Sequence, residues 1–400
     1  MRSKPNEIKI TRRKFITGVV GAGAAGFTTS SVNQALALSE PILKIGYIPI
    51  TDAAPLLIAH SKGMFKKAGI IAVEPVRIPG WSELSMAFAQ GAFNLSHLLS
   101  PIPLYLRYAK KIPVKVVAWD HVNNSALTVR DSDDIHDIKD LAGKKIAIPF
   151  WYSVHNIILQ YALRHDGLKV MRPGSGIKRP DEVELIEMAP PDMMYALKNR
   201  FIDGYIVAEP YNAAGEMIYG GRILRFSGDI WKNHACCQAV MHEKDIVMYP
   251  EWAQRVVHVI VEAEIWLRNN IREAAMILSR EGEKYIDQSF SVLLRALTKY
   301  DLETYGINGT NAIKHSEWNL KRVWFEPFPF KSYTRKLVEL LRETIIDGDL
   351  SFLKALDTEF IVDDIVDYSL VISSLKKHKQ VMIDGIDITK NFERAEVLSV

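Results

Sequence analysis

Short apolar runs alternate with amphipathic stretches through the first two thirds of the chain. Leu43–Ile50 is a continuous apolar run closed by Thr51-Asp52, and Ala54–Ala68 follows at helical spacing. The cycle then repeats, with strands predicted at Val73–Ile78, Leu95–Leu99 and Val114–Trp119 and helices at Trp81–Gln90 and Pro103–Lys110. A second series begins near Leu127. Its strands are expected at Ile146–Pro149, Val183–Met188 and Tyr205–Ala208, its helices at Ile135–Leu141, Val154–Arg164 and Asp192–Arg200. Such alternation predicts βαβ units with mostly parallel sheets. Around Arg222–Phe226 the pattern predicts a return to the first unit. Strand Gln238–Met241 and a long amphipathic helix follow, with Trp252, Val256, Ile260, Ala263 and Trp266-Leu267 recurring at three- and four-residue steps. Helix is expected almost throughout from Ile271 to about Lys377, and 380–400, with little periodicity, reads as a loose tail.

The expected architecture is therefore α/β with two lobes, the first made of 43–126 and 222–375 and the second, 127–221, inserted within it. Open α/β sheets bind ligands at the carboxyl ends of their strands, where loops and helix N-termini gather. The loops to watch carry Thr51, Asp52, Trp81, Ser100, Ser125, His155, Glu209 and Tyr211.

Residues 1–37 read as an address. Thr11-Arg12-Arg13-Lys14-Phe15-Ile16 is a twin-arginine pattern ahead of a Gly/Ala-rich apolar stretch, and Ala35-Leu36-Ala37 offers the small residues of a cleavage site. The expectation is twin-arginine export to the periplasm with cleavage after Ala37. This segment also explains the formal charge of +3: it holds six basic residues and one acid, and without it the chain has 44 basic against 46 acidic groups. A near-neutral body argues against a nucleic-acid partner, and no internal apolar run reaches the length of a membrane span.

With 48% hydrophobic and 24% charged residues the composition is that of an ordinary globular protein. The only cysteines, Cys236 and Cys237, follow His234. Two are too few for a disulfide framework or a four-cysteine zinc site. The His234-Ala235-Cys236-Cys237 run leaves three readings open: a strained vicinal disulfide, a soft-metal site of His234, Cys236 and Cys237, or two buried free thiols. Strand residues alternate faces, so both sulfurs are not expected in one pocket. Nucleophile-elbow, phosphate-loop and His-Glu-x-x-His patterns are missing from the sequence.

Several segments carry a resemblance. Gly46-Tyr47-Ile48-Pro49-Ile50-Thr51-Asp52-Ala53-Ala54-Pro55-Leu56, Asp140-Leu141-Ala142-Gly143-Lys144-Lys145-Ile146-Ala147, Ala208-Glu209-Pro210-Tyr211-Asn212, Ile230-Trp231-Lys232-Asn233-His234 and Phe325-Glu326-Pro327-Phe328-Pro329-Phe330 occur in order. Over residues 43–375 the chain resembles the periplasmic solute-binding proteins of ABC importers, in the nitrate/bicarbonate branch of the nitrate–sulfonate–taurine (NMT1-like) family. The resemblance implies a type II periplasmic-binding-protein-like fold with a helical C-terminal part. It also implies a small-molecule solute held between the lobes, an ABC permease and ATPase as partners, no cofactor, no catalytic residue and a monomeric state. Carried over residue by residue, it places Trp81 and His155 against the ligand. Ala208 replaces the branch's glycine but keeps a backbone N–H, and Glu209 orders the hinge or reaches a cationic group. Two departures stand out: Ser125 where nitrate and bicarbonate binders have glutamine, and Cys237 where they have lysine. Losing the lysine removes a full positive charge, which weakens the expectation of nitrate and favours a larger organic ligand stacked on Trp81 and Tyr211. The His-x-Cys-Cys run is also similar to the thiamine-pyrimidine synthases and their pyrimidine-binding relatives. That resemblance keeps a synthase-like enzyme, or a precursor-binding protein, as the alternative. A periplasmic sensor subunit is the third reading.

Overall fold

The computed structural model describes residues 39–400 except 173 and 176–178. The twin-arginine pattern, the apolar stretch and the site after Ala37 lie outside the described residues. The first sheet has five strands in the order β2-β1-β3-β12-β4: β1 (Ile45–Tyr47), β2 (Val76–Arg77), β3 (Leu95–Leu99), β4 (Val114–Trp119) and β12 (Cys237–His242). The second has six, in the order β11-β6-β10-β7-β9-β8. These are β6 (Ser125–Arg130), β7 (Lys145–Ile148), β8 (Lys169–Met171), β9 (Glu182–Glu187), β10 (Gly204–Ala208) and β11 (Gly221–Phe226). β5 (Val122–Asn123) bridges the two sheets in sequence and pairs with β13 (Val323–Trp324).

Pairings within each α/β unit are parallel, as β1 with β2 and β3, and β7 with β9 and β10. β6 and β12, the strands entered at each crossing, run antiparallel to both neighbours. The sheets are thus mixed, more so than βαβ logic alone predicts, because a chain that leaves one sheet and enters the next does so without a crossover helix. Gly221–Phe226 pairs with β6 and belongs to the second sheet, so the expected return at Arg222–Phe226 is corrected. The chain regains the first sheet only at Cys237.

Local chemistry explains most element ends. The predicted helix Ala54–Ala68 is two helices, Ala54–Ser61 and Met64–Lys67, parted at Gly63, whose φ of 62° is in the left-handed region that favours glycine. Pro103–Lys110 is one turn, Ile102–Leu104, that widens over Tyr105–Ala109. Helix Pro250–Asn269 buries Trp252, Val256, Ile260, Ala263 and Leu267 against helices Ala54–Ser61 and Tyr368–Lys377. No helix among the described residues is long and apolar enough to cross a membrane.

The C-terminal part departs most from expectation. Residues 279–289 and 306–330 are largely irregular between helices. The tail is a strap: a hairpin of Met382–Ile383 and Ile386–Asp387, then a run bonded to the body through Lys331 N–H to Phe392 O, Lys232 N–H to Val397 O and Ser399 N–H to Ile230 O. The Arg394 guanidinium covers the rings of Trp119 and Phe330 and donates to Asn233 O at 2.8 Å. Isolated backbone bonds, the Phe392 ring, and scattered polar contacts of Glu393, Arg394 and Glu396 leave no periodic trace, which is why the pattern reads as loose.

Candidate ligand site between the two sheets

The two crossings, 120–124 and 227–236, lie side by side. Asn123 N–H donates to His234 O, and Val122 pairs with Ala235. Because β12 runs antiparallel, its first residue sits opposite the last residue of β3 (Cys237 with Leu99), and Gln238 faces Trp119 at the end of β4. The carboxyl rim of the first sheet therefore gathers Thr51-Asp52 after β1, Ser100 after β3, Asp120-His121 after β4, and Cys236-Cys237. All are fully buried.

The second sheet meets this rim closely. Thr51 donates both its N–H (2.9 Å) and its hydroxyl (3.1 Å) to Glu209 O, beyond β10. Asn124 Nδ2 donates to Thr51 Oγ1 at 2.7 Å and to Asp52 Oδ1 at 3.0 Å. Tyr211 donates its hydroxyl to Pro49 O at 3.1 Å. Tyr211 and Pro49 also line a cavity of 280 Å³ with Arg77, Pro191 and Met194, from both sides of the junction. This is a closed arrangement.

His155 sits at the N-terminal end of helix Val154–His165, whose cap Ser153 accepts from Asn156 N–H. Its Nε2 is 2.8 Å from Ser125 Oγ and 3.8 Å from Cys236 Sγ, and its buried Nδ1 has no partner. Ala208 pairs with Ser125 across the sheet. On the opposite side Trp81 opens helix Trp81–Ala89 and meets the His97 ring edge-on at 5.5 Å. The structure thus joins Asp52, Ser125, His155, Cys236 and Cys237 in one buried group and Thr51 with Glu209 beside it. Ser100 flanks that group, donating its N–H to Cys236 O at 2.9 Å, Trp81 stands against His97, and Tyr211 closes the rim.

Glu209 is internally paired. Its Oε1 accepts from Arg322 Nε (2.9 Å) and Nη2 (2.5 Å), and its Oε2 from Ala213 N–H. It positions the junction and has no free carboxylate to offer a ligand. His234 also faces elsewhere: its Nε2 is 2.8 Å from Ser227 Oγ and its Nδ1 is 3.2 Å from Ala235 O. The grouping of His234 with the two thiols is therefore replaced by another. Atoms of Asp52, His121, Cys236 and Cys237 all lie within 4.8 Å of one another. Both sulfurs reach one place because Cys236 precedes the regular strand, which starts at Cys237, so face alternation does not constrain the pair. Both cysteines are free thiols.

Electrostatics sort these groups. Burial disfavours charge on both Asp52 and His121, but their 2.8 Å contact wins, holding the carboxyl below its usual range and the imidazole above its own. Burial and the Asp52 charge push Asp120 well up, so it is a neutral acid, and neither of its oxygens finds a donor. Burial lowers His97 to about 4; it is neutral and accepts the Ile48 N–H at its Nε2. Burial pushes the Cys236 thiol up, but the hydrogen bond with Cys237 and the nearby His155 and His121 bring it down, to about 5, while Cys237 rises. Sequence reasoning missed Asp120, His121 and Arg322. An Asp-His pair directly after the apolar strand Val114–Trp119 was a usable signal, whereas Arg322 offered none.

The profile of the NMT1-like family matches residues 37–279. The nitrate/nitrite binding protein NrtA of Nostoc sp. is 29% identical over 291 residues, 68% of this chain and 64% of that protein. The nitrate import ATP-binding protein NrtC of Synechocystis sp. is 26% identical over 228 residues, 55% of this chain and 34% of that protein. The matched stretch is thus less than two thirds of the length of each. The crystal structure of the periplasmic nitrate-binding protein NrtA from Synechocystis superposes with a TM-score of 0.73 at 22% identity, covering 90% of this chain and 94% of that one, and shows the same fold.

Proposed function

The chain belongs to the NMT1-like family, and from that membership and the closed junction of its two sheets we propose that it is the solute-binding component of an ABC importer. It captures a small solute of the nitrate, sulfonate or bicarbonate class between the lobes, closes about the crossings 120–124 and 227–236, and presents the closed form to a membrane permease and its ATPase. The proposal includes export to the periplasm, a monomeric state and binding without a catalytic step. A relative named as an import ATP-binding protein supports the ATPase partner.

One observation carries the reading. Groups from both sheets converge at the buried junction: Thr51 donates to Glu209 O and accepts from Asn124 Nδ2, and Ser125 and His155 of the second sheet's unit reach Cys236 at the rim of the first. A site completed only when two lobes meet is one that a ligand can hold shut. Its charges are already balanced: Asp52 with His121, Glu209 with Arg322. Ser125 Oγ and the His155 ring then orient the solute, and among the described residues the cleft offers no lysine to it, which favours an organic anion with apolar bulk over a bare inorganic one.

Thermal shift of the purified protein against nitrate, nitrite, bicarbonate with calcium, taurine, alkanesulfonates and thiamine pyrimidines tests this. A solute at a hundred times its Kd adds about 2.7 kcal/mol. A shift with an oxyanion or sulfonate is the expected result; a shift with pyrimidines alone, or none across the panel, overturns the solute class.

A further inference from the structure

We infer that Asp52, His121, Cys236 and Cys237 form a binding site for a thiophilic divalent cation of the zinc class. The inference goes beyond solute capture and does not depend on it. The four donor atoms come from three chain segments that the first sheet brings to one rim: the turn after β1, the end of β4 and the start of β12. They lie within 4.8 Å of one another and are fully buried. Zinc bonds of about 2.0–2.3 Å at tetrahedral angles place ligand atoms roughly 3.3–3.8 Å apart, so the widest spacing contracts by about 1 Å while the 2.8 Å Asp52–His121 contact opens by about 0.5 Å. Two sulfurs, one imidazole nitrogen and one carboxylate oxygen are a donor set that suits zinc and excludes magnesium or calcium, which take oxygen.

A second observation points to an occupant. Asp52 Oδ2 and His121 Nε2 form a fully buried ion pair at 2.8 Å, directly beside Asp120. Both oxygens of Asp120 are buried without a donor. Buried polar atoms are nearly always partnered, and a buried carboxyl with neither oxygen partnered, next to this donor set, marks a place built around something else. A cation between Asp52 and His121 takes both atoms as ligands. The protons that His121 Nε2 and the two thiols carry pass to solvent on binding, and no redox step is involved. The site adjoins Ser125 and His155 through Cys236, at 3.6 Å and 3.8 Å, so the cation places positive charge behind the solute donors.

The test is a titration of the purified, reduced, chelator-treated protein with Zn²⁺ against a chromophoric competitor, and with Co²⁺ read by absorption. One zinc per chain is expected, together with a thiolate-to-cobalt charge-transfer band on the unaltered protein. Cys237→Ser and His121→Gln should each weaken zinc by more than about tenfold, while His234→Gln, whose ring bonds Ser227, leaves it unchanged. Failure of the unaltered chain to bind one zinc, a cobalt spectrum without the thiolate band, or affinity retained in Cys237→Ser overturns the inference. No solute is present, so the outcome is separate from that of the solute panel.

Discussion

Arg322 and Glu209 are 113 residues apart in sequence and are joined by two hydrogen bonds of 2.9 and 2.5 Å in a place neither shares with solvent. The same guanidinium donates to Lys299 O (2.9 Å) and to the Tyr305 hydroxyl (3.1 Å). Arg322→Met keeps the volume and removes the charge, leaving Glu209 buried with only the Ala213 N–H on its other oxygen. Breaking a buried pair from one side costs about 3–5 kcal/mol. Glu209→Gln keeps an acceptor for the arginine and should cost about 1–3 kcal/mol. The double variant should recover at least about 2 kcal/mol of the summed losses, since no uncompensated charge remains. The assay is urea unfolding followed by fluorescence, with the four proteins forming a double-mutant cycle. It should be run at pH 5 and pH 8. An unpaired, buried Glu209 has a folded-state value above its unfolded one and keeps its proton when folded, so the Arg322→Met deficit should grow as pH rises. A loss under about 1 kcal/mol, or additive single effects, would refute the claim that this pair holds the loop after β10 in place.

Other outcomes follow from named contacts. Burial lifts the Glu326 carboxyl to about 7, against the pull of Arg268 at 3.5 Å. An acid whose folded value exceeds its unfolded one loses stability as pH rises between the two, so unfolding free energy should fall by about 3 kcal/mol from pH 4.5 to 7 relative to Glu326→Gln. Tyr211→Phe removes the hydroxyl bond to Pro49 O and should weaken solute binding by roughly fivefold, read by calorimetry, with the Tm little changed. Deleting residues 391–400 removes four backbone bonds, three of them to the body, and the Arg394 contacts, and should lower the unfolding free energy by at least about 3 kcal/mol in urea.

What the sequence revealed and what it concealed divide along one physical line. Strands Leu95–Leu99 and Val114–Trp119 were legible because both are apolar runs with sharp polar ends, and residues placed just past such ends reach the sheet rim. Thr51 and Asp52 are found there for that reason, whereas Ser125 opens the antiparallel strand β6 and His155 stands in the first turn of a helix. Cys236 was read with its neighbour as one strand, although the strand begins a residue later. Arg322 lies in an irregular segment before the two-residue strand Val323–Trp324, where no period exists to flag it. His121 follows a legible strand, yet its pairing with Asp52, on a loop about seventy residues earlier, emerges only from the strand order. Long-range polar pairings depend on topology, which hydrophobic periodicity does not encode.

The central claim is that a small solute is held by groups from both sheets. Its most direct test is calorimetric titration of the purified protein with the panel solute giving the largest thermal shift, beside His155→Ala. The account predicts one site per chain and an affinity loss of at least about tenfold in the variant, with unfolding of the ligand-free protein little altered. Equal affinity in both proteins, or no saturable heat, would contradict it.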